Sequence, residues 1–456
     1  MKTSTTLLFT ALVLAGCASA PPAAAPALPE VPASFREAAG APAPSPSPAR
    51  WWQAFADPQL DELVQRAERG NASLQADAAR LAAARALLRR AESERLPQVQ
   101  ATAAASREAT PLTGYRPATT IGIGANLSYE LDIAGRLAKA SDAAALDAAE
   151  REALLADARL LVQAEVVRSY FALRALDAER ALVQGTLASY ANTLQLTERR
   201  FAAGDVPELE VARVRSELAS NQSEALALER QRSQVEHALA LLVGEVASRF
   251  TLPVAEGPAA LPQVPADVPS SVLARRPDIA AAQQALRAAR ARVGLAQAAW
   301  WPSLTLTASG GQASPELGDL LRSGARTWGL GALLATPVFD GGQRRAGVAR
   351  AQADVDGAAA RLREQMLTAF RDVEDELAAV RLLAEQAAVQ QRAVDAAAFV
   401  NKQAEARYRN GLVSQFELLD AQRSALRSRR QALQVQAARY QATVGLMRAF
   451  GGAWGA

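Results

Sequence analysis

The chain has one cysteine, Cys17, and one histidine, His237, in 456 residues. A single thiol excludes any disulfide within the chain, and a single imidazole leaves no Cys/His cluster for a metal. No phosphate loop or nucleophile elbow is present either. Gly122-Ile123-Gly124 and Gly329-Leu330-Gly331 lack the spacing and the following helix of a dinucleotide site. His237 falls inside an amphipathic helical stretch, where a packed or solvated side chain is the ordinary outcome. An enzyme is not indicated, and no cofactor or metal is expected. Aromatic residues make up only 5% of the chain, fewer than a large globular core or a stacking platform uses. The formal charge of +3 is small, and its excess is spread along helices that carry similar numbers of acids, so no nucleic-acid partner is implied.

Proline is missing from two long stretches. Gln343 to Arg409 holds no proline and only two glycines, Gly347 and Gly357, while Ala, Arg, Glu, Gln and Leu dominate, so it reads as one helix. At about 1.5 Å per residue it spans about 100 Å, several times the depth of an ordinary domain. It cannot be buried in a globule. Met366, Val373, Val380, Ala387 and Val394 form a seven-residue seam flanked by Phe370, Leu377 and Ala384, the pattern of a supercoiled helix partner. Alanine elsewhere admits neighbours on more than one side, as a curved wall of helices requires.

Arg136 to Ala203 is an earlier echo of that stretch. Placing Phe201 on Tyr408, Gly204 on Gly411, Val206 on Val413 and Glu210 on Glu417 also superposes Gly135 on Gly342. Leu96-Pro97 matches Trp301-Pro302 at nearly the same shift. The chain is therefore a duplicated unit. The first repeat is assigned to 51–243, with strands about 97–108 and 119–132 and a helix about 136–203. A proline-rich linker, 244–271, follows. The second repeat, 272–450, has strands about 302–311 and 326–339 and a helix about 343–409, and 451–456 form a tail.

Between the helices the period changes from 3.6 to 2. Ile121, Ile123, Ala125, Leu127, Tyr129 and Leu131 alternate with Gly122, Gly124, Asn126, Ser128 and Glu130. In the second copy Leu304, Leu306 and Ala308 alternate with Ser303, Thr305 and Thr307, and Trp328, Leu330, Ala332 and Leu334 with Gly329, Gly331 and Leu333. Alternation alone fits an outer-membrane strand and a half-buried hairpin equally well. The N-terminus and the long helices favour the membrane, with Ile121, Ile123, Leu127, Tyr129, Leu304, Leu306, Trp328 and Leu330 facing lipid.

Met1-Lys2 is followed by an apolar run, Leu7 to Leu14, and Leu14-Ala15-Gly16-Cys17 resembles the bacterial lipobox. Residues 1–16 read as a signal peptide, Cys17 as the lipidation site, and 17–50, rich in Pro and Ala, as a flexible tether. Ala18 favours sorting to the outer membrane.

Taken together, Trp51-Trp52 to Leu60-Asp61, Arg275-Arg276-Pro277-Asp278-Ile279, Trp301-Pro302-Ser303-Leu304, Pro337-Val338-Phe339-Asp340-Gly341-Gly342, Leu418-Leu419-Asp420-Ala421-Gln422-Arg423 and Ala449-Phe450-Gly451-Gly452-Ala453-Trp454 resemble the motifs of the TolC-like outer-membrane factors. The likeness is to the lipoprotein branch serving tripartite multidrug efflux. It implies a mainly α protein with a membrane β-barrel: a homotrimer whose four strands per chain close a twelve-stranded barrel, continued by a long α-helical barrel into the periplasm. A periplasmic adaptor (membrane fusion) protein, an inner-membrane RND-type pump and outer-membrane lipid are the implied partners. Four strands cannot close a barrel alone, and open edges are not tolerated in lipid, which independently requires an oligomer.

The resemblance also assigns Asp420, Glu417, Glu210, Tyr408 and Phe416 to a periplasmic gate. Val413 stands where some relatives use an arginine to tie the gate. Carboxylates three residues apart share a helix face, and repeated by symmetry around a narrow axis they attract cations. The plainer reading of Glu417 and Asp420 is a helix-start pair at the positive end of the dipole. Export of proteins by a type I system, or a structural coiled-coil lipoprotein, are the alternatives. The coiled coil has no use for paired strands at matching points of both repeats.

Overall fold

The structure, a computed structural model, describes residues 28–38, 50–109, 111, 114–254, 260–264 and 269–452. The expected signal peptide, Cys17 and the end of the tail lie outside the described residues.

Local chemistry places the first elements. Pro58 opens helix α1 (Pro58–Gly70), and the Asp57 carboxylate accepts from the backbone N–H groups of Gln59 and Leu60 at 3.0 and 3.3 Å. Asn71 caps α2 (Ala72–Ser93) in the same way. Strands β1 (Gln98–Glu108) and β2 (Ala118–Leu131) and helices α3 (Arg136–Ala202) and α4 (Glu208–Val243) complete the first repeat. The second holds α5 (Pro269–Arg275), α6 (Pro277–Ala298), β3 (Ser303–Ser314), β4 (Arg326–Ala335), α7 (Gln343–Arg409) and α8 (Gln415–Ala449). Helices α3 and α7 are each 67 residues long.

Strand β4 ends at Ala335, short of the expected 339. Pro337 has no N–H for a ladder, and Asp340 turns the chain into α7 by accepting from the N–H groups of Gly342 and Arg344 at 2.9 and 3.1 Å. Three bonds to the Asp340 carboxylate, led by the Arg344 guanidinium, hold its pKa down at about 2. Strand β3 runs to Ser314, three residues beyond expectation, because Gly310 and Gly311 let it lie against β2, where a Cβ at Gly311 would collide with the Ile123 carbonyl.

The sheet is antiparallel with strand order β1-β2-β3-β4, so β1 and β4 each have one partner. Its register aligns the alternating residues of all four strands. Val99, Leu127, Ala308 and Leu330 form one transverse row, and Ala101, Ala125, Gly310 and Trp328 the next on the same face. The opposite face carries rows such as Gln100, Asn126, Ser309 and Gly329. Trp328 and Leu330 are about four-fifths exposed, at 81% and 79%.

Short helices stack end to end along the long ones. Asn71 Nδ2 at the head of α2 donates to the Leu242 carbonyl near the end of α4 at 2.8 Å, and Gly70 and Gly244 meet backbone to backbone. The second repeat reproduces the joint: Arg276 Nη1, just before α6, donates to the Ala449 carbonyl that ends α8, at 3.3 Å. The largest core sits at these joints. There Trp51, Trp52 and Phe55 pack with Val166, Tyr170 and Leu173 of α3 and with Val444, Leu446, Met447 and Phe450 at the end of α8.

The N-terminal tether needs correction. Within it, Phe35 is buried edge-on to Phe370 of α7, and the N–H groups of Arg36 and Glu37 both donate to the Glu374 carboxylate, at 2.8 and 3.0 Å. Composition read as flexible; one aromatic side chain and two carboxylate-bound amides attach residues 35–37 to α7. The linker after Gly244 also docks: Leu252 N–H donates to Glu236 Oε1 and Arg232 to the Leu252 carbonyl, each at 2.8 Å.

Candidate functional site

The tip formed by the ends of α3 and α7 is built on Tyr408. Its side chain is buried, packed with Ala404, Leu418 and Ala421, and its hydroxyl lies 3.4 Å from Thr197 Oγ1 of α3. Thr197 spends its own proton on the Thr193 carbonyl at 2.8 Å, so Tyr408 is the donor in that contact. The second lone pair of Thr197 accepts from Gln415 Nε2 at 3.2 Å. Arg200 covers the Tyr408 ring at 4.7 Å and donates to the Tyr408 carbonyl at 3.2 Å, satisfying one of the orphan carbonyls of the α7 terminus. One tyrosine thus ties both long helices and the start of α8.

The carboxylates are arranged differently. Glu417 N–H donates to Ser414 Oγ at 3.2 Å, which is half of a capping box, and the Glu417 side chain is exposed, 3.9 Å from Arg407. Asp420 is exposed and has neither a hydrogen bond nor an ion pair among the described residues, although its charge helps raise the pKa of Arg423, which is held chiefly by Glu217. Glu210 is half-buried in the first turn of α4. Phe416 is 62% exposed. The fold therefore gathers Tyr408 with its partners and leaves Glu417, Asp420 and Phe416 facing out of the chain.

Thr197, Arg200 and Gln415 were not singled out from the sequence. A signal exists: Tyr190, Thr193, Thr197 and Arg200 recur at helical spacing on one face of α3, with the first three buried. Above them, ion pairs lace α8 to the first repeat. Arg423 meets Glu217, and Arg430 bridges Glu179 at 2.6 Å and Glu224 at 2.7 Å.

The assigned lipid-facing residues Ile121, Ile123, Leu127, Tyr129, Leu304, Leu306, Trp328 and Leu330 share one face of the sheet by register. Among the described residues no helix is long and apolar enough to cross a membrane, and no group of His, Cys, Asp or Glu is placed to hold a metal ion.

Comparison with known proteins agrees with this architecture. The profile of the family described as "Outer membrane efflux protein" matches residues 63–245 and again 268–452, one match per repeat. The antibiotic efflux pump outer membrane protein ArpC of Pseudomonas putida is 31% identical over 99% of this chain and 96% of its own length. Outer membrane protein OprJ of Pseudomonas aeruginosa is 33% identical, over 98% and 95%. The probable outer membrane lipoprotein SilC of Salmonella typhimurium is 30% identical, over 98% of each. The solved outer-membrane channel OprN superposes with a TM-score of 0.88 at 29% identity, covering 96% of this chain and 99% of that one. With both repeats matched and relatives above 30% identity along nearly the whole length, the chain belongs to the outer membrane efflux protein family.

Proposed function

We propose that three copies of this chain form the passive exit duct of a tripartite efflux pump. The observation that carries this reading is the sheet: four strands with two open edges and one face that is apolar over rows such as Val99, Leu127, Ala308 and Leu330 and gives way to Gln312 and Arg326 near the β3–β4 turn, mounted on 67-residue helices. Open edges are unstable in lipid, and three sheets joined edge to edge give twelve strands and no edge. The apolar face then meets lipid, the Gly/Ser/Asn face lines a wet lumen, and acylated Cys17 adds an anchor. Helices α3 and α7 extend the duct into the periplasm, where an adaptor and an RND-type inner-membrane pump supply substrate and energy. Relatives named for antibiotic, toluene and pyoverdine export point to small organic cargo.

In the trimer, the exposed carboxylates of Glu417 and Asp420, with Glu210, form acidic rings at the closed periplasmic tip, and Tyr408 with Arg200 holds that tip shut. Mass measurement of the detergent-purified chain, detergent subtracted, is expected to return three chains; a stable monomer with full strand content sinks the barrel. In planar bilayers, Asp420→Asn with Glu417→Gln is expected to lower cation selectivity and cation block without lowering trimer yield. Unchanged selectivity and block would remove these acids from the gate.

A further inference from the structure

Strand alternation puts Arg107 of β1 on the face of Val99 and Ala101, and Arg326 of β4 on the face of Trp328 and Leu330. The register agrees: Arg107 lies opposite Thr119, and Arg326 opposite Gln312, on that same apolar face. Among the strand residues these two arginines are the only charges of the face, because Glu108 and Glu130 alternate onto the polar side. Both side chains are exposed, and neither has a hydrogen bond or an ion pair among the described residues. In the connecting loops Asp319 is already held by Arg322 at 3.0 Å, and Glu316 and Arg116, opposite in sign, are exposed.

The two arginines share one height. The runs from Val99 to Arg107 and from Leu334 to Arg326 are each about 27 Å of strand at about 3.4 Å per residue, or about 19 Å of height at a tilt near 45°. The apolar band of an outer-membrane barrel is about 25 Å tall, so a long arginine side chain carries its guanidinium to the far boundary. That boundary is the outer one, since the β1–β2 and β3–β4 loops lie at the end of the sheet away from α3 and α7. The opposite end of the same face, at Val99, Leu131, Leu304 and Leu334, carries no charge.

Closure brings the arginines together. With three sheets joined edge to edge, the reading on which this inference rests, β4 of one copy lies antiparallel to β1 of the next. Laying the ten residues of β4 along the eleven of β1 sets Arg326, the first of its strand, beside the end of β1, where Arg107 is next to last. Like charges on neighbouring strands oppose pairing, and no acid on this face relieves them. An anion from the membrane does.

We propose that Arg326 of one copy and Arg107 of the next together bind the phosphate of an outer-leaflet lipid headgroup. A guanidinium fork matches phosphate oxygens bidentately. Trp328 and Leu330, both about four-fifths exposed on the rows beneath, receive the acyl chains of the same molecule, which a free phosphate ion cannot supply.

The test is native mass spectrometry of the detergent-purified full-length protein titrated with diphosphoryl lipid A. Dephosphorylated lipid A, with the same acyl chains, is the control, and inorganic phosphate is the competitor. Saturable binding of one lipid per subunit boundary is expected, at least tenfold tighter for the diphosphoryl form, with no displacement by phosphate at the same concentration. Arg107→Gln with Arg326→Gln is expected to weaken binding at least tenfold and to leave the trimer mass unchanged. A trimer that binds both lipids equally, a trimeric double variant with wild-type affinity, or displacement by phosphate alone overturns the lipid site and leaves the barrel standing. A monomer in the same spectra overturns the barrel and the site together.

Discussion

Arg276 stands in a motif that the sequence displays only as family likeness, and its work is visible in its contacts. It is buried, bonded to Asp278 at 2.7 Å and to Asp372 at 3.4 Å, and it donates to the Ala449 carbonyl. Through one guanidinium it fastens the start of α6, the middle of α7 and the end of α8. Arg276→Met takes the guanidinium from two carboxylates and a carbonyl, leaving Asp372 with Arg371 and Asp278 with the Ile279 N–H, each at 2.8 Å, and is expected to cost about 3 kcal/mol by denaturant unfolding, the lower end for a broken buried pair. Arg276→Lys is not expected to rescue it, because a single ammonium does not reproduce the planar fork. Nearby Asp157 behaves in the opposite sense. Burial, and then the charge of Asp278, raise its pKa, against the opposing pull of Arg276 and Arg448. A carboxyl whose folded pKa lies above its unfolded value destabilises the fold when ionised, fully so above the folded pKa, and the penalty disappears below the unfolded one. Asp157→Asn is therefore expected to raise the melting temperature at pH 7 and to give no gain below about pH 4, where the wild-type carboxyl is protonated in both states. Equal gains at both pH values would show that its charge is not the cause.

At the scale of elements, glycines at positive φ do two different jobs. Gly244 (φ 77°) ends α4 where a Cβ would run into the Gly70 carbonyl, so it serves both the turn and the end-to-end joint. Gly411 (φ 70°) makes the turn between α7 and α8 with nothing near its missing Cβ. Gly411→Ala is expected to cost only the left-handed strain, about 1 kcal/mol. Gly244→Ala adds a backbone clash and is expected to cost several times as much, with α2 and α4 pulled apart at the joint. Hydrogen exchange on the two variants separates these outcomes: protection lost only near 411 in one, and along the α2–α4 junction in the other. The repeat alignment pairs Gly204 with Gly411 and so exposes the turns. It gives no hint of the joints, because Gly70 and Gly244 are remote in sequence and meet only when α1 and α4 both pack on α3.

The whole molecule is organised by the two faces of its sheet. Leu330 lies in the apolar row with Val99, Leu127 and Ala308, whereas Asn126 lies in the polar row and bonds Thr102 at 3.3 Å. If the apolar face meets lipid, Leu330→Arg is expected to cost about 2–4 kcal/mol of membrane stability, and Asn126→Arg far less because its face is wet. Heat-modifiable migration of the membrane-inserted protein reads both variants. Equal losses in the two would assign neither face to lipid.

The sequence by itself determined the secondary structure and the duplication. Helices some 100 Å long follow from the absence of proline, and strands follow from period-two alternation, clean in β2 and weak in β1, signals that are local and survive without knowledge of the partner. It also determined which strand residues share a face, since side chains alternate whatever the neighbour. Tertiary structure alone decided the rest. That Tyr408 is tied to Thr197 and Arg200, that Phe35 is held against α7, and that Gly70 meets Gly244 are contacts between residues far apart in the chain. No periodicity encodes them, because each depends on the lateral placement of whole helices, which burial of the common core sets and local propensity does not.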